Sequence, residues 1–245
     1  MQLAINGLLA NYEILNSNGK ESIIILHGWG RTFKEWVPLA KLLSTRYKLI
    51  LLDLPGFGNS FLPKDRELGI SDYAFFVETF LEKLRIKDVI LLGHSFGGKV
   101  GIALASKSRK INKLFLIDTS GVSEKSLKTK IIIKSLKLLK KIFQFSPTIQ
   151  DKIGFFLGSE DYKKSGSLRK TFKKVVSENI SLSAKRIKVQ TVIIWGENDK
   201  EVPVSSAKKL YALIPNSWIR IVWGAKHNPH LEDPQKFIGI LQDYL

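Results

Sequence analysis

Short apolar runs alternate along the chain with longer segments in which apolar residues recur every three or four positions. The runs at 10–15, 22–26, 48–52, 88–92, 113–117, 191–195 and 218–222 predict β-strands. Several are almost unbroken, as in Ile23-Ile24-Ile25-Leu26. A strand needs that pattern when helices cover both its faces. The helical spacing falls at 36–43, 71–84, 96–106, 205–213 and 234–245. Alternation of this kind predicts an α/β fold with a doubly wound, mostly parallel sheet, built as one domain over residues 1–245. The first strands are expected to pair as an antiparallel hairpin at one edge.

One stretch breaks the rhythm. Residues 122–186 show no strand pattern and read as helices and loops, which predicts a helical lid inserted into the sheet domain. They hold 16 basic and 5 acidic residues, and so supply +11 of the net +17 charge. Within them, Ile132, Leu136, Leu139 and Phe143 follow the apolar helical period, while Lys130, Lys134, Lys137 and Lys141 follow a basic one.

The composition narrows the chemistry. A 44% hydrophobic share over 245 residues supports a sizeable core. No apolar stretch is long enough for a transmembrane helix, and no signal peptide is visible at the start, so the expected location is cytoplasmic. The absence of cysteine removes disulfides and thiol catalysis. Of the 39 basic residues, 31 are Lys. Diffuse Lys suits a solvated surface better than bidentate recognition of phosphate or bases, so nucleic-acid binding is not expected. The four histidines stand in separate motifs and form a poor metal set, and no dinucleotide or Walker loop is present. Neither metal nor cofactor is therefore expected.

The candidate chemistry begins after the 88–92 run. Gly93-His94-Ser95-Phe96-Gly97-Gly98 is G-x-S-x-G between a predicted strand and a predicted helix, the context in which a sharp turn lifts a serine above the sheet. The following helix N-terminus favours developing negative charge beside it. Three further segments each follow a predicted strand. They are Leu26-His27-Gly28-Trp29-Gly30, Asp53-Leu54-Pro55-Gly56-Phe57-Gly58-Asn59-Ser60, and Trp223-Gly224-Ala225-Lys226-His227 followed by Glu232-Asp233-Pro234. With these motifs the chain resembles the α/β-hydrolase family, over nearly all of its length outside the lid.

That resemblance implies a serine hydrolase with chain order nucleophile, acid, base. It places the nucleophile at Ser95, the base at His227 and the acid at Asp199, within Gly196-Glu197-Asn198-Asp199-Lys200-Glu201-Val202-Pro203. Glu197 and Glu201 are local rivals for the acid. Asp118 is another, read here as a cap or loop acceptor. His230 is a neighbouring pocket or surface histidine, and His27 and His94 support turns. The resemblance also implies an oxyanion hole from the backbone N–H groups of Trp29 and Phe96. Lys226 precedes the base; an ammonium facing the imidazole would lower its pKa.

The expected substrate is a small-molecule carboxylic ester or thioester with a small to medium apolar acyl group. Trp29, Phe155 and Phe156 are expected to contact it. The 26–30 segment is similar to that of pimeloyl-carrier methyl-esterases. The basic lid therefore raises an acidic carrier protein or an anionic membrane surface as a partner, against the plainer reading of a solvated helix face. Carbon–carbon bond hydrolysis, or ligand reception without turnover, are the alternative functions.

Overall fold

A computed structural model describes residues 1–122, 161 and 165–245. Among these, eight strands form one sheet: β1 Gln2–Ile5, β2 Leu8–Leu15, β3 Ser22–Leu26, β4 Lys48–Asp53, β5 Val89–His94, β6 Ile111–Ile117, β7 Gln190–Gly196 and β8 Ser217–Val222. Their order is β1-β2-β4-β3-β5-β6-β7-β8. The β1–β2 and β2–β4 pairs are antiparallel, and β4 through β8 pair in parallel. The predicted α/β sheet is present, and the edge hairpin has a different partner from the one expected. Residues 8–15 pair with Gln2–Ile5 across Asn6-Gly7, both at positive φ, while Ser22–Leu26 lies between β4 and β5. The reason is burial. Ile23, Ile24, Ile25 and Leu26 are all fully buried, which only a central strand provides.

The helices divide between the two faces. Ile24 and Leu26 belong to one core with α2 (Ile70–Lys83), α3 (Phe96–Ala105), α5 (Ser181–Lys185) and α6 (Ser205–Leu213). Ile23 and Ile25 face the other core, with α1 (Val37–Leu43) and α8 (Pro234–Gln242). The short helix α7 (Pro229–Glu232) precedes α8. Parallel strands all end at one edge, so the loops after β3, β4, β5, β6, β7 and β8 converge there, where ligands bind in open α/β sheets.

The segment between β6 and β7 is described through residue 122, at 161 and from 165 onward, where it includes α4 (Arg169–Ser177) and α5. This part is fastened to the sheet domain by polar bonds. Buried Lys99 on α3 donates its ammonium to the Val175 carbonyl, and burial pulls its pKa down to about 8 against the opposing charge of Glu178. The Glu178 carboxylate accepts the Ile70 N–H at 3.1 Å, and Thr171 Oγ1 accepts the Leu68 N–H at 3.3 Å. Residues 127–145, expected from their spacing to form a lysine-striped helix, lie outside the described residues together with Phe155 and Phe156.

The β5–α3 junction is the tightest point of the fold. A Cβ on Gly93 would stand 2.6 Å from the Gly98 Cα and 2.7 Å from the Gly97 carbonyl, and these are backbone atoms that have no room to give. Gly93→Ala is expected to cost about 1–3 kcal/mol, as overpacking does. In a chain of this size that lowers Tm by about 2–12 °C in a thermal unfolding scan.

Candidate active site

Ser95 occupies the junction between β5 and α3 with φ 49° and ψ −109°, a conformation that side chains rarely adopt. Three features hold it. Its N–H donates to the Ile117 carbonyl at 2.8 Å, its carbonyl accepts the Lys99 N–H at 3.1 Å, and glycines at 93, 97 and 98 let strand and helix backbones approach. Ser95 is half-buried, whereas both flanking residues are buried. A side chain at Gly28 would reach within 3.6 Å of the Ser95 Cβ, so the loop after β3 passes directly beside it. Among the described residues, neither the Trp29 nor the Phe96 N–H donates to a protein acceptor.

The predicted base and acid meet. His227, in the loop after β8, places Nδ1 2.7 Å from Asp199 Oδ2, in the loop after β7. Asp199 Oδ1 accepts the N–H groups of Glu201 at 2.8 Å and Val202 at 2.9 Å. Burial on its own would raise the Asp199 pKa, but the His227 bond and the Val202 N–H hold it below the ordinary range. Burial on its own would lower the His227 pKa. The Asp199 hydrogen bond and charge, joined by Glu201 and Asp161, raise it instead.

Lys226 does not act as its place in the sequence implied. Its side chain is exposed, and the charged groups acting on His227 are carboxylates, so the shift runs upward. Its N–H donates to Glu232 Oε2, and the Asn228 N–H donates to Glu232 Oε1 at 3.3 Å, so one carboxylate pins the histidine loop from both sides. Of the rival acids, Glu197 Oε2 accepts the Gly224 N–H at 2.9 Å. Glu201 reaches the other ring nitrogen, with Oε2 3.6 Å from His227 Nε2. Among the described residues, no hydrogen bond joins Ser95 Oγ to His227.

The other histidines are structural in geometry. His27 Nε2 accepts the Leu54 N–H at 3.0 Å, which leaves Nδ1 as the donor to the Gly28 carbonyl at 2.7 Å. His94 Nε2 donates to the His227 carbonyl at 2.8 Å. Burial lowers the pKa of each. His230 is neither a pocket nor a surface residue. It is 3% exposed and stacked on Trp36 at 3.9 Å, and burial, with Arg31 and His227, takes its pKa down to about 3. Beside it, burial pushes Glu35 up to about 7. In the loop after β4, Asp53 Oδ1 accepts the Phe33 N–H at 2.8 Å, and its Oδ2 accepts from Asn11 at 2.7 Å and the Asn59 N–H at 3.1 Å.

Aromatic rings surround Trp29. Phe57, Phe96 and Phe172 meet its indole edge-on at 4.8, 5.2 and 5.0 Å between centroids. Phe57 and Phe172 were not singled out in the sequence. Phe57 was legible only as filler in the 53–60 turn, and Phe172 lies on α4, a short, strongly cationic helix with a single aromatic ring.

Asp118, Asp199 and His227 are the one group among the described residues with the spacing of metal ligands. The 2.7 Å contact between Nδ1 and Oδ2 is a hydrogen bond. Two ligands of one tetrahedral zinc, each about 2.0–2.2 Å from the ion, stand farther apart than that.

Comparison with known proteins bears on the family. A family model described as the alpha/beta hydrolase fold matches residues 21–152. Human monoacylglycerol lipase ABHD6 is 26% identical over 254 residues, covering 92% of this chain and 75% of that protein. The 2-hydroxy-6-oxononadienedioate/2-hydroxy-6-oxononatrienedioate hydrolase of Escherichia coli K12 is also 26% identical over 254 residues, covering 93% of this chain and 88% of its own. Among solved structures, a membrane phospholipase A superposes with a TM-score of 0.81 at 23% identity, over 99% of this chain and 84% of the other. The sheet order, the strained turn at Ser95 and the family match together establish that this chain belongs to the alpha/beta hydrolase fold family.

Proposed function

We propose that the protein is a serine hydrolase that cleaves carboxylic esters or thioesters of small to medium apolar acyl groups through an acyl-enzyme. The observation that carries this reading is Ser95 at φ 49° between β5 and α3, on the sheet edge where the 2.7 Å His227–Asp199 pair also sits. A serine hydroxyl is a weak nucleophile near neutral pH and needs a positioned base. In this reading Ser95 Oγ attacks the carbonyl and His227 Nε2 takes its proton. Asp199 holds Nδ1 protonated and stabilises the imidazolium. The Trp29 and Phe96 N–H groups hold the oxyanion, at about 3 kcal/mol of transition-state stabilisation for each such donor. His227 then protonates the leaving group, and water repeats the sequence to release the acid.

The aromatic cluster of Trp29, Phe57, Phe96 and Phe172 supports the choice of an apolar acyl group. The insertion would act as a lid, because Phe172 on α4 reaches Trp29 beside the expected oxyanion donor. The human relative's name as a monoacylglycerol lipase agrees with ester cleavage. The Escherichia coli relative favours a second reading. The compound in its name carries a keto group and no ester, so its hydrolysis breaks a carbon–carbon bond. The same three residues can serve that reaction.

Two outcomes follow. In hydrolysis of p-nitrophenyl acyl esters of increasing chain length, the wild type turns over with an optimum among short to medium chains. Ser95→Ala loses about 10³-fold or more in kcat, the scale seen when a triad member is removed. A wild type inactive on all esters but active on a vinylogous 1,5-diketone would transfer the assignment to carbon–carbon hydrolysis.

The second outcome concerns pH. His227 must be neutral to accept a proton, so activity rises with pH through its pKa. That pKa is raised, so the acidic limb of kcat/KM lies above the ordinary histidine range. Glu201→Gln removes one of the carboxylates that raise it, and the limb is expected to move to lower pH in a stopped-time rate profile.

A further inference from the structure

Asp118 is not assigned to the reaction above, yet it lies against the acid and base. It follows β6, is fully buried, and adopts φ 43°, the left-handed region that favours glycine. Its N–H donates to the Ile194 carbonyl at 3.0 Å, and its Oδ1 accepts the Gly196 N–H at 3.0 Å. These two bonds fasten its backbone and one oxygen to β7. A side chain held this tightly in a strained conformation is over-determined by its surroundings.

The other oxygen is the informative one. Asp118 Oδ2 is buried, and among the described residues no N–H or hydroxyl donates to it. Ligand atoms of Asp118, Asp199 and His227 all lie within 4.8 Å of one another. Two carboxylates this close in a buried setting do not both ionise, because each penalises the charge of the other. The proton goes to the less well solvated one. Asp199 has two backbone N–H donors and the imidazole, whereas Asp118 has a single N–H.

We propose that Asp118 is a positioning residue that stays a neutral carboxylic acid and donates its Oδ2 proton to the carboxylate of Asp199. The proposal rests on Asp199 being the carboxylate that orients His227. Burial pushes the Asp118 pKa well above the carboxylate range, against the Gly196 N–H and with the help of Asp199 and Glu232. The charged and titratable groups that act on it come from three elements: Asp199 after β7, His227 after β8 and Glu232 on α7. All but His227 oppose a negative charge there. A neutral Asp118 gives Asp199 a further donor and keeps a second anion away from the base. The carboxylate plane is then fixed, and the imidazolium is stabilised by one buried negative charge only.

The test has one arm that needs no substrate. The infrared spectrum of the wild type at about pH 8.5, above the titration of Glu35, should contain a protonated-carboxyl C=O band that disappears in Asp118→Asn. In wild-type protein carrying ¹³C-labelled aspartate, one side-chain carboxyl resonance should stay un-ionised to the same pH, which serves if the variant does not fold. With an ester substrate, Asp118→Ala should lower kcat about tenfold at similar KM, and Asp118→Asn should restore most of it because the amide supplies a donor. The acidic limb should stay in place in Asp118→Asn. Absence of both the band and the un-ionised resonance overturns the proposal. So does a limb that moves to lower pH in Asp118→Asn, because that marks the loss of a negative charge. A protein inactive on every ester removes the proposed function, while the spectra still decide the protonation of Asp118.

Discussion

The site depends on one backbone constraint, the strained turn that carries Ser95 from β5 into α3. A residue at φ 49° with a side chain costs on the order of 1–3 kcal/mol, and it persists only where the surroundings enforce it. Here they do so twice over. The Ser95 N–H is bonded to the Ile117 carbonyl of the neighbouring strand, and Gly93, Gly97 and Gly98 remove the side chains that would separate strand from helix. Everything else at this edge is arranged around that turn. Parallel strands deliver the loops after β3, β4, β6, β7 and β8 to the same side, and polar side chains then fasten several of these loops. His27 ties the β3 loop to Leu54, Asp53 ties the β4 loop to Phe33, and Glu232 ties the histidine loop to its own helix.

The electrostatics at this edge have a consistent direction. His27, His94 and His230 are buried and kept neutral, and they act as hydrogen-bonding or stacking groups. Only His227 has its pKa raised, because only His227 has carboxylates at both ring nitrogens, Asp199 at Nδ1 and Glu201 at Nε2. Its environment is set to hold a positive charge when one arrives, which is what a base must do after taking a proton. The aromatic side is built from ring contacts. It brings three phenylalanine rings to Trp29, one of them from the insertion.

Much of this was legible in the sequence because it rests on local rules. Unbroken Ile and Leu runs identified strands covered on both faces, and G-x-S-x-G located the turn, since both patterns follow from contacts within a few residues. The short strand Gln2–Ile5 was missed because four residues carry too little periodicity. Ser22–Leu26 was assigned to the edge although its four consecutive buried residues belong at the centre. The contacts of Glu201, Asp118 and Phe172 were not legible, because they depend on where separate loops converge. Lys226 shows the limit of adjacency as an argument. It is next to His227 in the chain, but its side chain is exposed, and the field at the imidazole comes from residues 26, 28 and 66 positions away.

The central claim is that the turn at Ser95 presents an activated nucleophile. The most direct measurement is intact-protein and peptide mass spectrometry after treatment with an alkyl fluorophosphonate, which bonds to serines activated by a neighbouring base. The account predicts one adduct per chain, on Ser95, with labelling slowed when Asp199 is replaced by Asn. No adduct on a folded protein, or an adduct on a different residue, would contradict it.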